Sequence, residues 1–385
     1  MRKQIGDKIH AVAKRQAQQI ARYTLLPIGK NAIYSLFLVL LVAVAAAAVS
    51  SSIELTAKKG GPDADSVLYH LHKLKVEDVE GMLKHFVRRS VKLMKRRFGG
   101  RKVAVAIDFT DEMFYGEKGS PGVVGTKRKN GTNYAYKFLT VSIVTDKMRF
   151  FLFAYPAFER GNNFLYVGRV LDMLEEFEVR THVLLLDREF NDAETLKLLD
   201  RRGYRYIIPA DHDSKFERWK KAAGKFPAIA RGWKIGDAET TLVMLEEEGH
   251  VFGYLTNFPD KFFSEDAYVL SYLYSKRWGI ETAHRVEDKF RIYTTTTDEK
   301  VRYFFFVVSV LFYNLWVWVN LTFGLWGKTM VRVDELKRIL HDILDDFIRW
   351  LCNPERWFSF GLGGSLGERS FLPENTLPSQ AASEP

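Results

Sequence analysis

The pattern of hydrophobic and polar positions gives the chain helical ends and a β-rich centre. From Asn31 to about Arg97 apolar residues recur at helical spacing, as in "GGPDADSVLYHLHKL", where Asp63 or Asp65 can act as N-cap. From residue 102 the pattern changes to short apolar runs: "KVAVAID", "NYAYKFLTVSIV", "RFFLFAYPAF", "THVLLLD" and "YRYIIPA". Runs of this length are typical of buried strands. Long helical segments return after about residue 266.

The predicted elements follow the order β-β-β-α-β-α-β, with helices near 164–177 and 193–202. This order is typical of a ribonuclease-H-like sheet. We therefore predict an α/β fold, a ribonuclease-H-like catalytic core with an inserted β-rich subdomain, flanked by N-terminal and C-terminal helical regions. The predicted divisions are a helical DNA-binding region (1–100), the first part of the core (101–210), the β-rich insertion (211–265), the helical completion of the core with the C-terminal helices (266–352) and a disordered tail (353–385).

Two longer apolar runs, Ala32–Val49 and Phe304–Trp326, reach the length of a membrane span. A polar, basic stretch precedes the first run, which is unlike a signal peptide. The second run contains Asn314 and Asn320, which a lipid-facing helix would avoid. We predict that both are buried helices of a large core and that the protein has no membrane partner. A membrane protein spanning at both runs is the alternative.

Charge and cysteine content narrow the classes of partner and compartment. The net charge is +10 and the isoelectric point about 9.3, which favours a polyanionic partner, nucleic acid before anionic membrane. The single cysteine, Cys352, excludes an internal disulfide framework and a cysteine zinc site, and it suits a reducing cytoplasm. The sequence has no Gly-rich phosphate loop and no G-x-S-x-G motif, and its histidines are scattered without ligand spacing.

Two aspartates follow buried strands that would adjoin in such a sheet: Asp108 in "AIDFTD" and Asp187 in "LLLDREF". A charged Asp at the end of a buried strand is costly unless it binds something, most often a divalent cation. The alternative for each is an ordinary turn or capping residue. The pair together favours a metal site for phosphodiester cleavage. Asp111 could support this site or form a turn, and we expect Glu189 to face solvent.

The segment "YLYSKRWGIETAHRVEDKF" is predicted to be one helix. Tyr274, Arg277 and Glu281 lie at positions i, i+3 and i+7, so the arginine and the acid would point to one site. Arginine suits bidentate phosphate binding, and a tyrosine hydroxyl can donate beside it. The alternative is a solvated helix face with a Glu281–Arg285 ion pair. Trp278 is predicted to be a core residue, with stacking on a base as the alternative.

These three regions, in this order, resemble the DDE transposases of bacterial and archaeal insertion sequences. The likeness is closest to the cut-and-paste group with the signature Y-x2-R-x3-E-x6-K, whose first three positions match Tyr274, Arg277 and Glu281. "AIDFTDEMFYG" resembles that group's first-Asp region, "LLLDREF" its second, and "VLFYNLWVWVN" its helix after the glutamate. The likeness covers about residues 100–325.

The resemblance implies that Asp108, Asp187 and Glu281 hold two Mg²⁺ (or Mn²⁺) ions and that Tyr274 and Arg277 hold DNA phosphate. It implies a transposase that binds the terminal inverted repeats of its element, cleaves double-stranded DNA and joins the freed 3′ hydroxyls to target DNA. It also implies a homodimer in the synaptic complex and a cytoplasmic, nucleoid-associated protein. The alternatives are a ribonuclease-H-like nuclease that does not transpose and a non-catalytic DNA-binding protein.

The sequence departs from the signature at its last position, where Asp288 stands in place of the expected lysine. Arg285 and Lys289 are the candidates for the missing cation, and a π-bulge could bring Lys289 into register. A second basic feature is the Gly-flanked segment "GTKRKNGTNYAYK". We predict that Lys127, Arg128 and Lys129 form a loop there that follows the DNA backbone, with an ordinary exposed hairpin tip as the alternative.

Overall fold

The computed structural model describes residues 36–58, 62–146, 149–158, 161, 163–263, 265–322 and 330–351. The predicted basic stretch at residues 1–30 and the predicted tail after residue 352 lie outside these residues. Within the described residues, four helices come first: α1 (Leu36–Val49), α2 (Ile53–Ala57), α3 (Ala64–Leu71) and α4 (Val76–Phe98). Asp63, one of the two predicted candidates, is the N-cap of α3, since its carboxylate accepts a hydrogen bond from Ser66 N at 2.8 Å.

The centre of the molecule is one mixed sheet of nine strands within the described residues. The strands are β1 (Val103–Met113), β2 (Val123–Lys129), β3 (Thr132–Val144), β4 (Arg149–Pro156), β5 (Thr181–Leu186), β6 (Tyr206–Pro209), β7 (Ala228–Ile235), β8 (Ala238–Glu247) and β9 (His250–Thr256). Their order is β2-β3-β1-β5-β6-β9-β8-β7, and β4 also pairs with β3. Strands β1, β5 and β6 run parallel, and the other pairs are antiparallel. This mixed α/β sheet with helices at both ends agrees with the predicted fold class.

Helices cover both faces of the sheet because its central strands are apolar on both sides. Successive residues of β5 alternate: Leu184 and Leu186 belong to the larger core, and Val183 and Leu185 belong to a smaller one. The larger core includes residues of α5 (Asn163–Glu176) and α6 (Ala193–Arg201), and the smaller one includes residues of α8 (Val269–Ser275). The continuous apolar runs of the sequence therefore reflect strands that are buried on both sides.

Two local predictions are wrong. Strand β1 does not end at Asp108, since it continues to Met113 along β3 after its last parallel pair with β5, Ile107 with Leu186. The continuous apolar run stops at Asp108 because only the first part of β1 is sandwiched between two strands. The predicted basic loop is also a strand in part: Lys127–Lys129 end β2, and a turn at Asn130 and Gly131 leads into β3. Both turn residues have positive φ, 52° and 90°.

The segment predicted as a β-rich insertion contains three strands, as expected, and one helix that was not predicted. Strands β7, β8 and β9 extend the main sheet, because β9 pairs with β6 through Ile207 and Thr256. The missed helix is α7 (Ser214–Ala223), whose N-cap Asp213 accepts from Phe216 N at 2.7 Å. It ends at Gly224 in the left-handed conformation, with φ of 62°.

The C-terminal elements complete the larger core. They are α9 (Gly279–Glu287), α10 (Glu299–Thr322) and α11 (Val333–Leu351), and a 3₁₀ turn at Lys276–Trp278 joins α8 to α9. By length and composition α10 could cross a membrane, but 89% of its most apolar window is buried inside the protein. Residues Val39–Ala48 of α1 are buried as well, against α10 and α11. Both apolar runs are thus core helices where the structure describes them.

Two buried asparagines tie α10 into the core. The side-chain amide of Asn314 donates to Phe151 O at 2.8 Å, and its oxygen accepts from Phe151 N at 3.0 Å, so it substitutes for a neighbouring strand beside β4. The amide of Asn320 donates to Trp316 O at 2.9 Å and accepts from Val331 N at 2.8 Å. Their polarity therefore satisfies buried backbone groups.

We expect Asn314→Ala to lower the free energy of unfolding by roughly 2 to 4 kcal/mol, since it leaves the buried N–H and C=O of Phe151 without partners. Urea unfolding followed by circular dichroism measures this. Asn191→Ala is the matched control, because the Asn191 amide bonds the exposed Asp211, and its cost should stay below about 1 kcal/mol. Equal costs for the two variants would contradict the role of Asn314.

Candidate functional site

The sheet register places two aspartates side by side. Ile107 of β1 is paired with Leu186 of β5, so Asp108 and Asp187 are the next residues of two adjacent parallel chain segments. Asp108 is buried, and its Oδ1 accepts from Phe109 N at 3.0 Å. Asp187 caps the 3₁₀ turn Arg188–Phe190 and accepts from Arg188 N at 2.8 Å. Asp187 is therefore a capping residue, as the alternative predicted, but only its Oδ1 accepts this hydrogen bond, and within the described residues its Oδ2 remains free to bind a ligand.

Arg277 joins the two aspartates. Its Nη1 donates to Asp108 Oδ2 at 2.9 Å, and its Nη2 lies 3.5 Å from Asp187 Oδ1. The side chains of Arg277 and Asp108 are 11% and 10% exposed, and that of Asp187 is 35% exposed. Two carboxylates that contact the same guanidinium would repel each other in a poorly solvated site without it, because both are negatively charged. The positive charge of Arg277 offsets this repulsion.

Burial dominates the electrostatics of this cluster. Burial and, to a lesser extent, the charge of Asp187 raise the pKa of Asp108, which settles at about 6 because the Arg277 guanidinium opposes both effects. Burial also raises the pKa of Tyr274, whose ring lies 5.4 Å from the centre of the Arg277 guanidinium. The Tyr274 hydroxyl and the Arg277 Nε are buried without a hydrogen-bond partner among the described residues. Arg277 is thus packed between the Tyr274 ring and the two aspartates, and its Nε–H remains available as a hydrogen-bond donor.

A cavity of about 670 Å³ opens over the aspartates. Glu281 lines it together with Asp108 and Asp187, which places all three predicted acids at one cavity. Its other charged lining residues are Asp111, Glu112, Lys129, Arg277, Arg285, Glu287, Asp288 and Arg291. Within the described part of the chain, no three His, Cys, Asp or Glu side chains lie close enough together to hold a metal ion. Glu281 therefore shares the cavity without converging on the aspartate pair.

The structure adds His284 to the cavity, a residue that the sequence reading left among the scattered histidines. His284 Nε2 lies 3.2 Å from Thr140 Oγ1, which also donates to the backbone oxygen of Asp108 at 3.3 Å. On its other side, Nδ1 lies 3.8 Å from Glu287. Glu287 is buried, which raises its pKa, and it accepts a hydrogen bond from Ser309. The one signal in the sequence was the helical spacing of residues 281, 284 and 287.

The remaining predicted residues divide into those at the cavity and those away from it. Arg285 lines the cavity, whereas Lys289 is not among its lining residues. Lys289 lies near Lys337 instead: burial lowers the pKa of Lys337, and the charge of Lys289 lowers it further. The segment after Glu287 is a 3₁₀ turn, so the suggested π-bulge is absent there. Lys129 reaches the cavity, while Lys127 and Arg128 are exposed on β2 and line a neighbouring cavity.

Three further expectations are corrected or refined. Trp278 is 66% exposed, so its prediction as a core residue is wrong: the 3₁₀ turn at this position directs it outward. No ion pair joins Glu281 and Arg285 among the described residues, so the alternative of a surface pair is not realised. Glu189 faces outward as expected and pairs with Lys137 at 2.6 Å.

Comparison with protein families identifies the class. The family model for the transposase DDE domain matches residues 99–315, more than half of the chain. The chain belongs to this family of transposases. Its structure is similar to that of the piggyBac transposase in a synaptic complex with hairpin DNA, with a TM-score of 0.52, 14% identity, and coverage of 97% of this chain and 84% of that one. At this identity the similarity shows a shared fold alone. Comparison with curated protein sequences gave no match.

The raised pKa of Asp108 predicts a pH dependence of stability. The folded state binds the Asp108 proton more tightly than the unfolded state, whose value is 3.8, so this group's contribution to stability is fully present below about pH 4 and is lost as the pH rises through about 6. We expect the stability of Asp108→Asn relative to the parent protein to increase by roughly 2 to 3 kcal/mol between pH 4 and pH 7. Urea unfolding of both proteins across this range measures the difference, and a pH-independent difference would contradict the shift.

Proposed function

We propose that this protein is the transposase of an insertion sequence, of the cut-and-paste group with the Y-x2-R-x3-E-x6-K signature. It would bind the terminal inverted repeats of its element, cleave the DNA there and transfer the freed 3′ ends to target DNA. One observation carries the proposal: Asp108 and Asp187 lie side by side at the point where β1 and β5 separate, in a cavity that Glu281 also lines.

The chemistry of the carboxylate donors at this cavity fits divalent metal ions. The carboxylates of Asp108 and Asp187 are hard oxygen ligands of the kind that Mg²⁺ and Mn²⁺ prefer, and Glu281 supplies a third at the same cavity. Arg277 now provides the positive charge that such ions would bring to the pair. Two bound Mg²⁺ (or Mn²⁺) ions would supply Lewis-acid activation of the attacking group and stabilisation of the leaving oxygen.

The chain's own residues would then bind and orient the DNA. Arg285 and Lys129 lie at the cavity wall, where they can contact phosphates on either side of the cleaved bond. Arg277 would donate hydrogen bonds to the scissile phosphate, and its packing against the Tyr274 ring would hold the guanidinium in position. Tyr274 itself is 6% exposed, so its contribution to phosphate binding would be made through this packing. Lys127 and Arg128 would follow the backbone beyond the cavity.

The N-terminal helices are the proposed region for recognition of the terminal repeats. Helix α4 carries a basic face that includes Lys84, Arg88, Arg89 and Lys92. Part of this face is already neutralised: Lys84 pairs with Glu80 at 2.9 Å, and both Lys84 and Arg88 pair with Glu176 of α5. Arg89 and Lys92 are exposed and are the described residues of this face that we assign to DNA. Synapsis of two element ends would require a homodimer, and the DNA substrate would place the protein in the cytoplasm with the nucleoid.

We expect single substitution of Asp108, Asp187 or Glu281 by alanine to reduce cleavage of element-end DNA by roughly a thousandfold or more, because metal-ion stabilisation of phosphodiester cleavage amounts to several kcal/mol. Affinity for the same DNA, measured by mobility shift in Ca²⁺, should remain within a few-fold. Chelation of Mg²⁺ by EDTA should abolish cleavage by the parent protein.

Glu189→Gln is the matched control, since Glu189 lies two residues from Asp187 but pairs outward with Lys137. Full cleavage by Asp187→Ala would overturn the assignment and favour a non-catalytic DNA-binding protein. Assays on paired ends with target DNA separate transposition from simple hydrolysis. Cut ends without any joined product would favour a ribonuclease-H-like nuclease.

We propose Arg285 as the cation that replaces the signature lysine, because it lines the cavity and Lys289 does not. We expect Arg285→Ala to weaken binding of element-end DNA by roughly tenfold, the typical effect of losing one charge-assisted hydrogen bond to phosphate. Lys289→Ala, which removes an exposed cation four residues later, should change affinity less than twofold. Fluorescence anisotropy titration measures both, and the reverse order of effects would reassign the role to Lys289.

A further inference from the structure

One aromatic side chain at the cavity has no role in the function proposed above. Tyr115, in the segment between β1 and β2, lines the same cavity as the acids and is 68% exposed, the highest value among the large hydrophobic residues that the structure describes. Exposed single aromatic residues are common at protein surfaces, so exposure alone carries no function. The case for a function rests on where the Tyr115 ring lies and on how the backbone beside it is fixed.

The backbone beside Tyr115 is fixed to the sheet. The N–H of Phe114 donates to Tyr134 O at 2.8 Å, and Thr132 Oγ1 donates to Phe114 O at 2.7 Å. Phe114 itself is buried, and the Arg302 guanidinium lies 5.3 Å from the centre of its ring. A side chain on Gly116 would come within 2.4 Å of the Phe114 ring, so the chain passes close over that ring immediately after Tyr115. Phe114 thus fills the inner position, and Tyr115 stays on the cavity side.

The surroundings of Tyr115 suit one class of ligand. Lys129 and Asn130, at the tip of the β2–β3 hairpin, line the same cavity, and Arg285 lines it from α9. A flat apolar ring together with cations and an amide offers stacking, phosphate neutralisation and hydrogen bonds, the three contacts that a nucleotide makes. A protein partner would be expected to use a broader apolar surface, whereas the other charged residues of this cavity are acids and arginines.

We propose that Tyr115 is a stacking platform for an unpaired base of the DNA strand that enters the cavity. The inference rests on the proposed function, because it takes the cavity to be the place of cleavage. The base must be unpaired or terminal, since in an intact duplex both faces of each base are covered by neighbouring bases. Tyr115 would therefore favour DNA that is opened beside the cleavage position over DNA that is fully paired.

The test compares two probes made from the end of the element that encodes the chain. One is a fully paired duplex. The other carries a single unpaired 2-aminopurine next to the cleavage position, and binding is followed in Ca²⁺ by anisotropy and by 2-aminopurine fluorescence. We expect the parent protein and Tyr115→Phe to quench 2-aminopurine and to bind the opened probe more tightly than the paired one. Tyr115→Ala should lose the quenching and at least about fivefold in affinity for the opened probe, with affinity for the paired probe unchanged.

Tyr293→Ala is the matched control, because Tyr293 is 57% exposed and is not among the residues that line the cavity. If Tyr115→Ala does not fold, Tyr115→Leu keeps an apolar side chain and removes the ring, and it should show the same loss. Quenching and affinity in Tyr115→Ala or Tyr115→Leu equal to those of the parent protein would overturn the stacking role and leave the proposed function intact. Failure of the parent protein to bind either probe would instead overturn the proposed function and the stacking role with it.

Discussion

The bridge that Arg277 makes between Asp108 and Asp187 is the interaction on which the rest of the site depends. Strands β1 and β5 bring two carboxylates together at the point where they separate, and one of them is buried, so the pair would destabilise the fold without a compensating cation. Arg277 provides this charge from the 3₁₀ turn between α8 and α9. Arg277 lies directly before α9, which packs over β1, β3 and β4 and carries Glu281, His284 and Arg285 at the cavity.

The site therefore has two possible arrangements of positive charge. In the described structure the guanidinium neutralises the aspartates, and no three acids converge on one point. In the proposed function Asp108 and Asp187 would hold divalent ions that supply this charge instead, and the donors of Arg277 would bind the DNA phosphate. In this structure the arginine lies against the Tyr274 ring at the cavity. An exchange of this kind would couple metal binding to DNA binding through one side chain, in a chain that belongs to the transposase DDE family.

The sequence was informative where local pattern determines structure. Apolar runs that end in acids predicted that Asp108 and Asp187 lie side by side, and helical spacing predicted that Arg277 and Glu281 face one cavity, as they do. It failed where contacts join distant segments. The hydrogen bond between Arg277 and Asp108 joins residues 169 positions apart in the sequence. A 3₁₀ turn on either side of α9 breaks the regular helical spacing, so Trp278 is exposed and Lys289 does not line the cavity. The second half of β1 was missed because pairing with β3 alone leaves it half-buried, without a continuous apolar run.

The central claim is that the aspartate pair is a cation site that Arg277 holds in the absence of metal. Titration of the DNA-free protein with Mn²⁺, followed by electron paramagnetic resonance, tests it most directly. The account predicts that the parent protein binds Mn²⁺, that Asp108→Asn or Asp187→Asn greatly weakens binding, and that Arg277→Gln strengthens it, because the competing cation is gone. Equal Mn²⁺ affinity in all four proteins would contradict the account.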